Sequence, residues 1–243
     1  DQSRAQRLTA MLPFPPWQGQ SGPPPLGPGD LPLWRLQIAA ADGSDARLLG
    51  LLGADEQARL QRLANATLRA RYARAHADLR RILGLYLGLP PAEITFAQGA
   101  HGKPALAASQ NPARLEFNLT GSGDLALLAI GLDVPVGVDC EQIRPCRELL
   151  GIARRMFSPQ VAQAVADTPE PERFDAFYTA WTALEAEVKA DGRGLFGPRD
   201  RSAGAAPGSL GVAHFRPVPG FIAAVARQDL APIEQWGTHH LVD

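Results

Sequence analysis

The chain has 243 residues, of which 45% are hydrophobic, and its formal net charge at pH 7 is −1. This composition supports a buried core, and the near-zero charge creates no long-range field that would attract nucleic acid. No apolar run approaches the roughly 18 residues of a membrane-spanning helix, and no basic start with an apolar middle indicates a signal peptide. The 2 cysteines are too few for a disulfide framework, so we expect a reduced, cytoplasmic protein that binds neither nucleic acid nor membranes.

The first part of the chain is predicted to hold an arm, a strand and a long helix. Residues 1–30 include the stretch LPFPPWQGQSGPPPLGPGD, whose prolines and glycines predict an extended arm that lies over the domain or stays loose. The segment Leu31–Ala40 is predicted to be the first strand. Within Ala54–Leu89, apolar residues recur at three- and four-residue steps among many arginines, which indicates a long helix that LPPAE then ends.

The remaining elements are predicted to mix strands and helices. The predicted strands are EITFAQ, RLEFNLT, LALLAIG, VPVGVDCE, GVAHFRPV and FIAAVARQ, and the predicted helices lie near Ile152–Phe157 and at Phe174–Ala190. Because strands and helices do not alternate regularly, the sequence favours the α+β class. Each half, residues 31–130 and 131–243, offers one long helix and several strands, which suggests a duplicated architecture.

The segment PVGVDCEQIRP, residues 135–145, carries two acids at the end of an apolar run. Residues two apart on a strand share a face, so Asp139 and Glu141 point the same way and Cys140 points into the other layer. Carboxylates this close repel each other unless a cation or a proton lies between them, and such oxygen ligands suit Mg²⁺ beside phosphate oxygens. The alternative is that both acids are solvated at an exposed strand end.

A second candidate site lies on the predicted helix FYTAWTALEAEVKADGRGL. Its apolar stripe comprises Phe177, Trp181, Leu184 and Val188. Glu185 and Lys189 stand four residues apart on a neighbouring face, where an ordinary helix ion pair of roughly 0.3–0.5 kcal/mol would also explain the spacing. Gly192 and Gly194 would allow another backbone to approach closely, or would simply cap the helix.

The segment GSGDLA, Gly121–Ala126, fits the G-x-G-x-x-A pattern of dinucleotide-binding folds. Asp139 and Glu141 follow at the distance where a ribose-binding acid would lie. However, the stretch between the last glycine and the next strand is too short for a crossover helix, which needs about a dozen residues or more. A turn between antiparallel strands is therefore the better interpretation.

Taken in order, five segments resemble the Sfp-type 4′-phosphopantetheinyl transferases. They are RYARAHADLRRIL (71–83), HGKPAL (101–106), FNLTGSGDLAL (117–127), VGVDCE (136–141) and WTALEAEVKADGRGL (181–195). The resemblance covers residues 31–228 and leaves the arm outside. It implies an α+β monomer with two pseudo-symmetric halves, each with a long helix against a small antiparallel sheet, and with coenzyme A bound between the halves.

The resemblance also implies an activity: transfer of 4′-phosphopantetheine from coenzyme A to a serine of an acyl or peptidyl carrier protein, with release of 3′,5′-ADP. By this likeness Asp139, Glu141 and Glu185 hold Mg²⁺, Glu185 helps to deprotonate the serine, and Lys189 neutralises charge on the phosphates. The implied coenzyme A contacts are Arg59 and Arg71 at the 3′-phosphate, Lys103 and Pro104 near the adenine, and Thr120, Gly121 and Ser122. Arg154–Ser158 lies where the family docks the carrier protein.

Three positions depart from the family pattern. Gly121 stands where the family usually has a phosphate-binding histidine, and Leu184 stands where it has a lysine. Glu56, by a looser alignment, replaces a basic residue and adds an opposing charge. If the two lost charged contacts were additive, binding would weaken by roughly 10²–10⁴-fold. Groups such as His101 or the helix arginines could substitute for the lost contacts.

The leading function is therefore Mg²⁺-dependent phosphopantetheinyl transfer. A first alternative is a repurposed homologue that binds a carrier protein, or a substrate linked to one, without transfer. A nicotinamide-dependent oxidoreductase is the remaining alternative.

Overall fold

The computed structural model describes residues 14–39, 46–99, 102–192 and 210–242. The strands are β1 (Gln18–Gln20), β2 (Pro32–Gln37), β3 (Phe96–Gln98), β4 (Pro104–Leu106), β5 (Leu115–Ser122), β6 (Leu125–Leu132), β7 (Val136–Gln142), β8 (Leu210–Phe215), β9 (Phe221–Gln228) and β10 (Gly237–Leu241). The helices are α1 (Ala46–Leu49), α2 (Ala54–Gln61), α3 (Ala66–Leu87), α4 (Leu149–Met156), α5 (Pro159–Asp167) and α6 (Glu172–Asp191). Within the described ranges, no helix combines the length and apolarity that crossing a bilayer requires.

The first sheet has the strand order β1–β10–β2–β6–β5. The pairs β2–β6 and β5–β6 are antiparallel, whereas β1–β10 and β10–β2 are parallel. Alternate residues of its strands, such as Trp34 and Phe117, pack against α3 through Leu79, Ile82 and Leu83. The predicted α+β class is confirmed, although the sheet is mixed at one edge rather than antiparallel throughout.

The second sheet is antiparallel, with the order β7–β9–β8. Its inner face contributes Val136, Val138 and Cys140 to a core shared with Leu33 and Leu127 of the first sheet. Ala224 and Ala226 on its outer face pack against Ala186 and Ala190 of α6. The molecule is thus layered as helix, sheet, sheet and helix. This arrangement matches the duplicated architecture that the sequence suggests.

One predicted element differs in the structure, and another prediction is confirmed. The single helix predicted over Ala54–Leu89 is two helices, because Asn65 accepts a hydrogen bond from the Leu68 amide at 2.8 Å and so caps a new helix. The segment GSGD is a turn, with Gly123 at a φ of +58° between the antiparallel strands β5 and β6. That hairpin confirms the turn interpretation and leaves no crossover helix for a nicotinamide-binding fold.

The described part of the N-terminal arm, residues 14–30, lies over the domain, which is one of the two arrangements considered from the sequence. Phe14 stacks on Phe215 with ring centroids 4.6 Å apart, and the Trp17 indole donates to the Pro217 carbonyl at 2.9 Å. Strand β1 within the arm pairs with β10, an additional strand at the C-terminal end that the sequence did not reveal. Residues 1–13 lie outside the described residues, and the division at residue 130 stays a prediction.

Helix α6 lies directly on β7 because Gly137 has no side chain. A Cβ atom at this position would lie 2.0 Å from the Ala186 carbonyl oxygen and 2.5 Å from the Ala190 amide nitrogen. Both distances are far below van der Waals contact, so any side chain would force the helix away from the strand. Gly137 therefore sets the spacing between the two elements that carry the candidate acids.

We expect Gly137→Ala to reduce the free energy of unfolding by about 3 kcal/mol, because the backbone of α6 must shift to admit one methyl group. Urea unfolding followed by circular dichroism measures the loss. Gly151→Ala on α4 is the matched control, since a Cβ there meets nothing within 4 Å. That variant should stabilise the protein by roughly 0.5–1 kcal/mol through helix propensity. Equal stabilities for the two variants would contradict the prediction.

Candidate active site

The edge of β7 that does not pair with β9 faces β5. Side chains, rather than backbone groups, form the hydrogen bonds to the β7 backbone along this edge. The Val138 amide donates to Asn118 Oδ1 at 2.8 Å, and the Gln142 amide donates to Ser122 Oγ at 3.1 Å. The Val136 carbonyl accepts from Lys103 Nζ at 2.9 Å. We call this contact between β5 and β7 the seam. Val138 bonds to Asn118 and Gln142 bonds to Ser122, each 20 residues earlier in the chain. Because the bonded positions advance together along both strands, β5 and β7 run in the same direction.

Asp139 and Glu141 project from β7 on the face that α6 covers, and Cys140 is buried in the core between the sheets. The predicted alternation along this strand is confirmed. Asp139 is 4% exposed, which excludes the alternative of two solvated acids at a strand end. Thr120 Oγ1 donates to Asp139 Oδ1 at 3.1 Å, and Ser122 Oγ donates to Glu141 Oε2 at 2.7 Å.

Lys189 of α6 forms its ion pair with Asp139. Its Nζ lies 2.6 Å from Asp139 Oδ1 and also donates to Thr120 Oγ1 and the Val138 carbonyl at 3.3 Å. The pairing of Glu185 with Lys189 along the helix, considered from the sequence, is therefore replaced by a bond between elements. The ammonium still attracts Glu185 electrostatically.

Glu185 lies close enough to both strand acids to feel their charges. Burial raises the pKa of Glu185, attraction to Lys189 opposes that rise, and repulsion from Asp139 and Glu141 adds to it. Burial also raises the pKa of Glu141, with the Ser122 hydrogen bond acting against it and Asp139 adding to it. The structure thus brings together the four residues that the sequence placed at one centre.

A divalent cation fits the chemistry of these acids. Lys189 and Thr120 bond to Asp139 Oδ1, whereas Asp139 Oδ2 is buried and has no hydrogen-bond partner, so this oxygen is available to a cation. Glu141 and Glu185 carry further carboxylate oxygens nearby, which Mg²⁺ prefers. As arranged here, however, no group of three or more His, Cys, Asp or Glu residues in the described ranges is already gathered as a metal site.

The predicted contacts to coenzyme A are spread over both sides of the β5–β6 turn. Arg71 pairs with Asp124 of that turn at 2.6 Å, and the Arg59 guanidinium lies 6.0 Å from the centre of the Tyr72 ring. Pro104 is exposed at the start of β4. Lys103 is turned toward the seam, and burial lowers the pKa of its amine.

Residues 120–122 do not share one face of β5. Thr120 and Ser122 reach the seam, whereas a side chain at Gly121 would point toward Ile38 and Ala126, each 3.5 Å from its Cβ. Both distances are ordinary van der Waals contacts, so a Cβ atom fits at this position. Leu184 packs against the apolar cluster that α4, α5 and α6 form.

Glu56 does not present a free negative charge, contrary to the expectation from the sequence. Burial alone would raise the pKa of Glu56, but hydrogen bonds from His76, the Gly53 amide and Arg80 lower it overall. The Arg80 Nε lies 2.5 Å from the carboxylate, and Arg80 itself is 3% exposed. The acid is therefore part of a buried ion pair that ties α2 to α3.

Two contacts of β7 escaped the sequence reasoning: Lys103 was expected only near the adenine, and Asn118 was not singled out. Asn118 and the seam-facing role of Lys103 depend on which strand lies beside β7, and strand order is not visible in local patterns. The signal for Asn118 is the alternation of polar residues in FNLTGS, residues 117–122, where Asn118, Thr120 and Ser122 share a face. Gly192 caps α6 with a φ of +70°, while His101 and Gly194 lie outside the described residues.

Comparison with known proteins shows the family of the chain. The 4′-phosphopantetheinyl transferase HetI of Nostoc sp. is 34% identical over 163 residues, which are 67% of this chain and 69% of the relative. The chain belongs to the 4′-phosphopantetheinyl transferase superfamily. The family model of that superfamily matches residues 135–206, which include β7 and α6.

Other relatives match shorter parts. A putative 4′-phosphopantetheinyl transferase of Synechocystis sp. is 32% identical over 60% of this chain and 59% of its own length. The 4′-phosphopantetheinyl transferase Sfp of Bacillus subtilis is 29% identical over 50% of this chain and 52% of its own length. The chain therefore spans between about half and two thirds of these superfamily relatives.

We expect Lys189→Met to reduce the free energy of unfolding by about 2–3 kcal/mol, because it leaves the Asp139 carboxylate buried without its counter-ion. Urea unfolding measures the loss, and adding Asp139→Asn to the variant should recover most of it. Lys103→Met is the control: it removes a bond to a neutral carbonyl, which contributes about 1 kcal/mol. A double variant whose losses simply add would argue against the coupling.

Proposed function

We propose that the chain transfers the 4′-phosphopantetheine group of coenzyme A to a serine of an acyl or peptidyl carrier protein. The observation that carries the proposal is the convergence of Asp139, Glu141, Glu185 and Lys189 where α6 crosses β7. Phosphoryl transfer requires positioning and neutralisation of developing charge more than covalent chemistry from the protein. Three acids and one ammonium at a single centre meet that requirement.

The chemistry assigns a role to each of these groups. Asp139, Glu141 and Glu185 would hold Mg²⁺, which supplies positive charge to the pyrophosphate. Glu185 accepts the proton of the carrier serine, directly or through a water molecule. The serine oxygen then forms a bond to phosphorus while the bond to the departing phosphate breaks, and 3′,5′-ADP leaves with that electron pair. Lys189 moves its positive charge from Asp139 toward the phosphates.

The carrier protein is proposed to dock beside α4. Arg154 and Arg155 are exposed near the end of this helix, whose other face packs on the apolar cluster with α6. Exposed arginines suit an acidic partner helix, because complementary charges speed encounter and fix orientation. Since one chain provides all the proposed groups, we propose that it acts as a monomer.

We expect an apo carrier protein incubated with this protein, coenzyme A and Mg²⁺ to gain about 340 Da, the mass of the transferred group. Intact-protein mass spectrometry detects the adduct. Removal of Mg²⁺ with EDTA and the variant Asp139→Asn should each reduce the rate by roughly 100-fold or more. Asp133→Asn is the matched control, since Asp133 is an acid of the β6–β7 turn that pairs with Arg114.

Failure to modify several carrier proteins at millimolar coenzyme A would reject transfer. Carrier binding without an adduct would instead favour the repurposed homologue, which the Gly121 and Leu184 replacements motivate.

We expect Gly121→His to tighten coenzyme A binding by roughly 10–100-fold, the worth of one charged hydrogen bond of about 1.5–3 kcal/mol. A Cβ atom at position 121 makes only ordinary contacts, so the first atom of the new side chain fits without strain. Leu184→Lys, which the sequence suggested as an equivalent gain, should not tighten binding, because it removes an apolar side chain from the cluster with α4 and α5. Isothermal titration calorimetry compares both variants with the parent. Tight binding by the parent and no gain in Gly121→His would contradict the prediction.

A further inference from the structure

The Ser122 hydroxyl is engaged by two groups of β7. Its oxygen accepts the Gln142 amide proton at 3.1 Å and donates to Glu141 Oε2 at 2.7 Å. A backbone amide can only donate, so the serine oxygen must act as the acceptor in the first bond. The hydroxyl proton is then free to point at Glu141. An ionised carboxylate can only accept, so the Ser122 hydroxyl donates to Glu141 while its oxygen accepts the Gln142 amide proton.

The hydrogen bond from Ser122 restricts the conformations of the Glu141 side chain. A glutamate has several rotatable bonds, and ordering it for a ligand costs conformational entropy. The Ser122 bond holds one Glu141 oxygen before any ligand arrives, while the other oxygen has no bond to Ser122. Thr120 does the same for Asp139, two residues earlier on each strand. Each hydroxyl of β5 thus bonds to one acid of β7, first Thr120 to Asp139 and then Ser122 to Glu141.

We propose that Ser122 is a positioning residue that orients Glu141 for a divalent cation, rather than a ligand of coenzyme A. The proposal rests on the proposed function, because the cation belongs to that reaction. Partners behind metal ligands typically change metal affinity by 10–100-fold when they are removed. A residue that contacted coenzyme A instead would change the affinity for coenzyme A and leave cation binding unaltered.

The test compares Ser122→Thr with Ser122→Val, two variants of nearly equal shape that differ in the hydroxyl. Mn²⁺ binding to the full chain is measured by electron paramagnetic resonance at saturating coenzyme A. We expect Ser122→Val to bind Mn²⁺ roughly 10–100-fold more weakly than the parent and Ser122→Thr to bind it nearly as well. The Mn²⁺ concentration for half-maximal transfer should rise in parallel, while the KM for coenzyme A stays unchanged.

Asn111→Ala serves as the control for lost stability. The Asn111 side chain bonds both the amide and the carbonyl of Leu115, at the other end of β5 from Ser122. Its loss should lower the melting temperature without changing Mn²⁺ affinity. If Ser122→Val does not fold, Ser122→Ala, which also lacks the hydroxyl and is smaller, replaces it in the comparison with Ser122→Thr.

The inference is overturned by equal Mn²⁺ affinities in Ser122→Val and Ser122→Thr, by a parent that binds no Mn²⁺ with coenzyme A present, or by a KM for coenzyme A that rises alone. Failure of the proposed function looks different. In that case the parent binds Mn²⁺, Ser122→Val weakens that binding, and no phosphopantetheine adduct forms on any carrier protein.

Discussion

The contact between the α6 backbone and Gly137 on β7 is the constraint on which the candidate site depends. With no side chain at Gly137, the helix approaches until the Ala186 carbonyl occupies the space of a Cβ atom. Glu185 and Lys189, on either side of that contact along the helix, are thereby brought to the acids of the strand. In this arrangement the Lys189 amine lies 2.6 Å from Asp139 Oδ1.

The second constraint is electrostatic. The Lys189 ammonium pairs with Asp139 and attracts Glu141 and Glu185 electrostatically, and burial disfavours the charged forms of both glutamates. Hydroxyls from β5 and the Lys189 amine offset part of that cost, yet Asp139 Oδ2 remains without a partner. Because the negative charge of these carboxylates is only partly compensated, a cation would bind favourably beside them. For the same reason, each bond from a β5 hydroxyl or from the Lys189 amine to these carboxylates contributes to the stability of the fold.

Local patterns predicted much of this arrangement. Alternation along VGVDCE placed Asp139 and Glu141 on one face and Cys140 in the core, and the apolar spacing predicted α6 nearly to its ends. The break between α2 and α3 was missed because the arginine-rich stretch stays periodic through it, whereas Asn65 as a cap gives the signal. Lys189 pairs with Asp139, and β10 joins the first sheet, through contacts between segments that are distant in the sequence. No window of neighbouring residues contains that information.

The covered edge of β7 has a consequence for the behaviour of the protein in concentrated solution. A strand edge with free amides and carbonyls is a template on which another chain can add a strand, and such additions lead to aggregates. On β7, Asn118 and Ser122 occupy two amides, and Lys103 and Lys189 occupy two carbonyls. The side chains that organise the centre therefore also occupy backbone groups of β7 to which another chain could otherwise pair.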